Sequence, residues 1–224
     1  MQRRDFSHLL SAGLAGAALP LARSQPKLPV EGVHYVRLAQ PAPAGPAGKI
    51  EVVEFFWYEC PHCNAFEPAL EAWVKRQPDD VAFRRVPVWF REEPFSAQQR
   101  LFYALEAIDA LPTLHRKVFY AIHGERTRMR TPEDFSAFAL KNGIDPLKFI
   151  AAYNSFGVQS KALQARQIAS AYKIDAVPAM GVQGLYYTNG TLANTGMGST
   201  GGSVDRMLGV VDMLVGRVRQ GNRG

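Results

Sequence analysis

The chain reads as an α/β protein whose sheet is interrupted by a block of helices. Three observations predict this. An apolar, β-branched and aromatic run at 50–58 (IEVVEFFWY) leads into a helical pattern opening at Cys60-Pro61, and a second strand candidate follows at 81–89 (VAFRRVPVW). After it the spacing is helical. From Pro178 the pattern returns to two short strand runs and then a long amphipathic helix.

Each element has its own warrant. Residues 26–31 form a loose lead and 33–38 a short extended run. The stretch 40–48 (QPAPAGPAG) is too rich in Pro and Gly to be anything but loop. Residues 50–58 suit a strand buried on both faces. Pro61 fits the first turn of a helix, and Phe66, Leu70, Trp73 and Val74 recur at helical spacing. Leu101, Leu105 and Ile108 make one apolar stripe; Leu114, Val118, Ala121 and Ile122 make another. Thr131-Pro132-Glu133-Asp134 is a helix start, with a capping threonine, proline in first position and acids at the positive end. Gly143 closes that helix. Asp145-Pro146 opens another with Phe149, Ile150 and Tyr153 on one side, and 158–173 continues as a long helix. Gln183-Gly184 joins the strand runs 178–182 and 185–188 as a hairpin. A Gly/Ser/Thr loop follows. Ser203 then caps a final helix with Val204, Met207, Leu208, Val211, Leu214 and Val218 inward.

With 224 residues, 47% hydrophobic and 11% aromatic, the chain can bury a substantial core as one generous domain or a small one carrying an insertion. The first two dozen residues read as an address. Arg3-Arg4 precede an apolar run at 9–21, and Ala22-Arg23-Ser24 offers small residues where a signal peptidase reads. The expectation is a cleaved signal at 1–24 and a soluble mature protein of the periplasm beginning at Gln25. Gln-Arg-Arg-Asp-Phe resembles a twin-arginine signal with an atypical Asp5, so twin-arginine and general secretory export both stay open. Arg3, Arg4 and Arg23 against Asp5 carry +2 of the formal +6, leaving +4 from Gln25 onward. So small and scattered a charge argues for a solvated surface and against nucleic-acid binding.

The cysteines say more. There are two, Cys60 and Cys63, with Pro61 and His62 between them. An exported protein usually spends cysteines on bridges closing long loops, and a loop this short restrains little of the unfolded chain. The pair is better placed for reversible chemistry. At a helix N-terminus Cys60 faces unpaired N–H groups and the positive end of the dipole, which stabilise a thiolate. Cys63, one turn further in, points toward the core and suits the resolving thiol. His62 places a donor or positive charge beside the Cys60 sulfur. The rival is half of a zinc site, but His34, His115 and His123 stand isolated and no second pair is available. No metal is expected.

Here the sequence resembles a known family. Glu54-Phe55-Phe56 through Cys60-Pro61-His62-Cys63 and Phe66-Glu67 are similar to the active-site segment of the DsbA-like disulfide oxidases, thioredoxin-fold proteins with an inserted helical domain. A second similar segment runs from Asn154-Ser155-Phe156 to Val177-Pro178-Ala179-Met180. The likeness extends from Glu31 to the last helix, although 91–129 matches only in pattern. It implies a thioredoxin-like domain in two parts, 25–90 and 162–224, around an all-helical insertion at 91–161. It also implies that Val177 and a cis Pro178 lie against the CxxC and offer backbone to the substrate. Beyond the redox-active disulfide no cofactor is implied. The implied partners are unfolded or reduced exported proteins and a quinone-linked membrane reoxidant of the DsbB type, with the chain itself a monomer.

Neighbouring residues tune this picture. Glu54 interrupts an apolar strand, where an unpaired carboxylate is costly. Arg85 on the next strand is a candidate partner, and the family places a basic residue there; Glu67 lies one turn beyond Cys63. These form either a buried cluster assisting proton movement or a structural ion-pair network. Trp57, Tyr58, Phe90 and the aromatics of the middle helices are either an apolar groove for unfolded chains or core. Glu59, directly before Cys60, opposes thiolate formation. The expected reaction is attack on the Cys60 sulfur of the oxidised pair, then release of the mixed disulfide by a second substrate thiolate. A reductase or isomerase would run the same chemistry in another direction, though 25–31 is too short for the dimerisation domain isomerases usually carry. A holdase with a regulatory CxxC is the rival from another class.

Overall fold

The computed structural model describes residues 28–90, 96–196 and 202–221; the expected signal at 1–24 lies outside them. Two strands and a helix open the fold: β1 (Val36–Arg37), β2 (Ile50–Phe56) and α1 (Pro61–Lys75), followed by β3 (Val81–Pro87). Between β3 and the next strand the described residues form α2 (Ala97–Ala107), α3 (Leu111–His123), α4 (Pro132–Lys141), α5 (Pro146–Tyr153) and α6 (Phe156–Ala171). The chain then returns to the sheet with β4 (Ala179–Val182) and β5 (Tyr186–Asn189), and ends in α7 (Gly190–Asn194) and α8 (Ser203–Gly221).

The sheet order is β1-β5-β4-β2-β3. β2 and β3 are parallel, as a strand–helix–strand crossover requires, and the remaining pairs are antiparallel. All seven residues of β2 are buried because both faces of the sheet are covered. Ile50 and Val52 pack with Leu70 and Trp73 of α1 and Leu214 of α8. Val53 and Phe55 pack on the other side, in the core shared with the helical insertion. Side chains alternate along a strand, so Glu54 falls in phase with Ile50 and Val52, toward α1. The parallel register pairs Glu54 with Arg85. The charged residues that the sequence left on two separate strands are therefore lateral neighbours.

Several local readings hold. Thr131 caps α4 in a full capping box with Asp134, and Gly143 after it takes the left-handed φ of 81°. Gln183 and Gly184, at φ 53° and 65°, make the turn whose twist suits a tight hairpin. A Cβ on Gly184 would also run into the Ala42 carbonyl.

Others need correction. The extended run at 33–38 yields a strand of two residues, because the chain turns at 32–34, where Val33 and His34 donate to the Val30 carbonyl. The hairpin strands begin one residue later than expected. The loop after them contains α7, capped by Asn189, whose side chain accepts from Leu192 N at 2.9 Å. Ser203 is the first residue of α8 rather than its cap. α6 runs from Phe156 to Ala171, two residues earlier at each end than the helix expected at 158–173. Among the described residues no helix is long and apolar enough to cross a membrane.

Candidate active site

The end of β2 delivers Cys60 to the start of α1, where its extended backbone (φ −83°, ψ 114°) makes it the N-cap. Its sulfur accepts the N–H of Cys63 at 3.4 Å, the contact a capping oxygen would otherwise make. Pro61 takes the first helical position, where its missing N–H costs nothing. Pro61 and His62 are exposed, Cys60 is 7% exposed, and Cys63, turned inward, is fully buried.

The two thiols differ sharply in acidity. A hydrogen bond from the Cys63 thiol outweighs the cost of burial at Cys60. With the N–H groups of Cys63 and His62 and a smaller electrostatic contribution from the His62 ring, it lowers the Cys60 pKa from 9.0 to about 6. Burial pushes the Cys63 thiol far up, and its hydrogen bond to the Cys60 sulfur and the charge on that sulfur add to this. At neutral pH Cys60 is a thiolate and Cys63 holds its proton.

The loop before β4 meets this sulfur. The Val177–Pro178 peptide is cis, and the Val177 carbonyl oxygen lies 3.5 Å from the Cys60 Sγ. A groove of about 300 Å³ runs beside it, with His62, Phe66, Val177, Pro178, Val204 and Met207 among its walls.

Beneath the cysteines lies the charged cluster. Arg85 aims a fork at Glu67, with Nη2 2.8 Å from Oε2 and Nε 3.3 Å from Oε1. The same Nε stands 3.0 Å from Oε2 of Glu54, an ion-pair distance, yet neither Glu54 oxygen has a hydrogen-bond partner among the described residues. Proximity without alignment leaves Glu54 poorly solvated by protein. Burial and the Glu67 charge raise its pKa well above the usual carboxylate range, against the opposing pull of Arg85. Glu67 goes the other way. Burial alone would raise it, but His115 and Arg85 more than offset that and hold the carboxyl low.

His115 is the residue that the sequence reading missed by treating it as isolated. Its Nε2 lies 3.0 Å from Oε1 of Glu67 and its Nδ1 2.9 Å from the Tyr58 hydroxyl. Burial lowers its pKa and keeps the ring neutral, so Nε2–H donates to Glu67 and Nδ1 accepts from Tyr58. A signal did exist. His115 follows Leu114 in the buried stripe of α3, and a buried polar ring requires partners. Tyr58 accordingly belongs to the core, 1% exposed against the rings of Phe56 and Phe119, and takes no part in a surface groove. Phe90 is 44% exposed, with the half-buried Trp57 edge-on at 6.4 Å. The acid before Cys60 is also answered: Glu59 pairs with Arg130 at 3.2 Å and accepts from Gln98 at 3.4 Å. Among the described residues no group of three or more His, Cys, Asp and Glu side chains converges to hold a metal ion.

A strongly acidic thiol and a proton-retaining one, set one helical turn apart at the end of a buried strand, define a thiol-disulfide oxidoreductase. Comparison with known proteins agrees. Residues 51–201 match the family model described as a DSBA-like thioredoxin domain. The thiol:disulfide interchange protein DsbA of Burkholderia cepacia is 41% identical over 212 residues, covering 94% of each chain. That of Bordetella pertussis is 40% identical over 221 residues, covering 98% of this chain and 100% of its own. The crystal structure of Pseudomonas aeruginosa DsbA superposes with a TM-score of 0.80 at 35% identity, over 87% of this chain and 97% of that one. The chain belongs to the DsbA-like thioredoxin-domain family, and its fold is the thioredoxin fold with a helical insertion.

Proposed function

We propose that the protein is a dithiol oxidase of the periplasm that donates the Cys60–Cys63 disulfide to reduced exported proteins. The observation that carries this reading is the divergence in acidity between the two sulfurs. A couple whose reduced form contains a stabilised thiolate gives up its disulfide readily.

The steps follow from the site. A substrate thiolate attacks the Cys60 sulfur, a substrate–Cys60 bond forms, the Cys60–Cys63 bond breaks, and the electron pair goes to Cys63. A Cys63 thiolate is a poor leaving group in this buried position. Glu54, whose affinity for a proton burial raises well above that of an ordinary carboxylate, supplies the proton. A second substrate thiolate then attacks the substrate sulfur of the mixed disulfide and expels Cys60, a good leaving group at its low pKa. The substrate leaves oxidised and the pair leaves reduced.

The backbone of Val177, whose carbonyl already lies at the Cys60 sulfur, is the docking edge for an extended substrate segment, with Pro178 beside it. The adjoining groove takes apolar side chains. The redox-active disulfide is the sole cofactor in this reading. Reoxidation falls to a quinone-linked membrane protein of the DsbB type, as family membership suggests. Export by the N-terminal signal and action as a monomer complete the reading.

The test is the equilibrium of the Cys60–Cys63 pair with glutathione, on protein beginning at Gln25. A readily reduced pair, together with oxidative refolding of a reduced substrate that Cys60→Ser abolishes, is the expected result. A pair that resists reduction overturns the oxidase reading in favour of a reductase.

A further inference from the structure

We infer that His115, a residue of the helical insertion, is a positioning residue for the reaction at Cys63: it holds the Glu67 carboxylate in place beside Glu54 and so keeps the proton-donating acid loaded. This rests on the reading of Glu54 as the proton donor.

The ring is held by its surroundings. His115 sits edge-on to Phe56, Phe102 and Phe119, at centroid distances of 5.1, 5.9 and 5.3 Å, so its orientation is set by packing. The Tyr58 hydroxyl on Nδ1 fixes the tautomer and leaves Nε2–H as a donor aimed at Glu67. Charged and titratable groups face the ring from each side: Glu67 and Glu71 of α1, Arg85 of β3, and Tyr58 of the segment entering α1. Of these, Glu67 receives the ring's proton-bearing nitrogen.

Glu67 is fully buried and accepts from three donor groups, two on Arg85 and one on His115. Removing one donor from a buried carboxylate favours its protonation. A protonated Glu67 no longer repels a charge on Glu54, while Arg85 still attracts one. Glu54 then gives up its proton at lower pH and is less often available as an acid when Cys63 leaves. The link crosses from α3 to α1, so the helical insertion, which contributes neither cysteine, governs the protonation of the core beneath them.

The experiment uses the oxidised mature protein and reduced glutathione as the probe. Glutathione thiolate bonds to the Cys60 sulfur, the Cys60–Cys63 bond breaks, and Cys63 takes the electron pair and the Glu54 proton. The stopped-flow rate of this step, divided by the concentration of glutathione thiolate, is followed against pH. In the wild type it falls as Glu54 ionises, and in Glu54→Gln that fall disappears. In His115→Phe the fall moves to lower pH by on the order of one unit, the size of effect one neighbouring charge produces. His115→Gln, whose amide N–H can donate to Glu67, returns the midpoint toward the wild-type value. If His115→Phe fails to fold, Tyr58→Phe removes a single hydroxyl and gives a smaller shift in the same direction. A wild-type midpoint in His115→Phe, or in Tyr58→Phe where that variant stands in, overturns the role of His115 while Glu54→Gln still abolishes the fall. A profile that Glu54→Gln leaves unchanged overturns instead the proton-donor reading on which this inference rests.

Discussion

Arg130 reaches from the helical insertion to the residue before Cys60, with Nε 3.2 Å from Oε1 of Glu59 and Nη2 3.5 Å from Oε2. Its loop is pinned, since the backbone N–H groups of Arg130 and Thr131 both donate to Oδ2 of Asp134 at 3.0 Å. A carboxylate next to Cys60 opposes thiolate formation, and the guanidinium cancels that field. Arg130→Ala should therefore raise the Cys60 pKa, and Glu59→Gln should lower it. The pair is partly solvated, with Arg130 44% and Glu59 18% exposed, so each shift should be on the order of half a unit. Thiolate absorbance of the reduced protein, titrated from about pH 4 to about pH 9, reads the midpoint directly. Equal midpoints in the wild type and Arg130→Ala would show that Arg130 has no electrostatic role at the site.

The acidity of Cys60 makes the stability of the reduced protein depend on pH. Its folded pKa of about 6 lies below the ordinary value of 9.0, so the thiolate's contribution is complete above about pH 9 and is lost as pH falls through about 6. Cys63 keeps its proton in the folded protein, so it adds no slope below about pH 8; above that its unfolded thiol ionises and its contribution opposes that of Cys60. The oxidised protein has no thiolate to titrate, and closing so short a loop restrains its unfolded chain only slightly. The Tm of the reduced form should thus rise above that of the oxidised form between about pH 6 and about pH 8, with the gap narrowing in acid. Scanning calorimetry of both forms checks this. A gap that does not vary with pH would mean that Cys60 is not held as a thiolate.

Much of this arrangement could be read from local sequence, because its causes are local. Thr131 and Asp134 make their capping box within one turn, Gln183-Gly184 make their hairpin within two residues, and Cys60 caps the helix that Pro61 begins. The pairing of Glu54 with Arg85 was also accessible, since a parallel register between two recognisable strands sets it. His115 was not, although its burial was implied by Leu114 and Val118. Its partner Glu67 lies 48 residues away on another helix, and nothing in spacing alone joins α3 to α1. Arg130 escaped for the same reason, being 71 residues from Glu59. What the sequence conceals is the set of contacts between the insertion and the sheet domain, which only the docking of the two creates.

One tight contact behind the sheet should be intolerant of a single methyl group. A Cβ on Gly181 of β4 would fall within the ring of Tyr172. That ring is 1% exposed, packs on Phe55 at 5.0 Å, and accepts the Gly184 N–H on its hydroxyl at 2.9 Å, so it has no room to retreat. Gly181→Ala should cost about 2 to 3 kcal/mol by overpacking. Gly209 is the contrast, exposed on α8 with nothing within 4 Å of an added Cβ, and Gly209→Ala should add about 0.5 to 1 kcal/mol of helix stability. Urea unfolding of the two variants reads both signs; a neutral Gly181→Ala would mean that Tyr172 can move.

The acid cluster should show opposite effects on stability from its two ends. Glu54 is fully buried and faces repulsion from Glu67, and these costs outweigh its ion pair with Arg85 at 3.0 Å, since its pKa is raised in spite of that pair. Glu54→Leu removes those costs, leaves Arg85 and Glu67 as a one-to-one pair, and should stabilise the protein by about 1 to 3 kcal/mol. Arg85→Met does the reverse. It strips an ionised, buried Glu67 of its cation and two of its donors, and should destabilise by about 3 kcal/mol. If Glu54 is the proton donor, the stabilised Glu54→Leu protein should also exchange more slowly with glutathione. Urea curves on the oxidised forms and stopped-flow exchange decide the matter together. If Glu54→Leu instead destabilises and exchanges at the wild-type rate, Glu54 is a structural partner of Arg85 and the proton reaches Cys63 by another route.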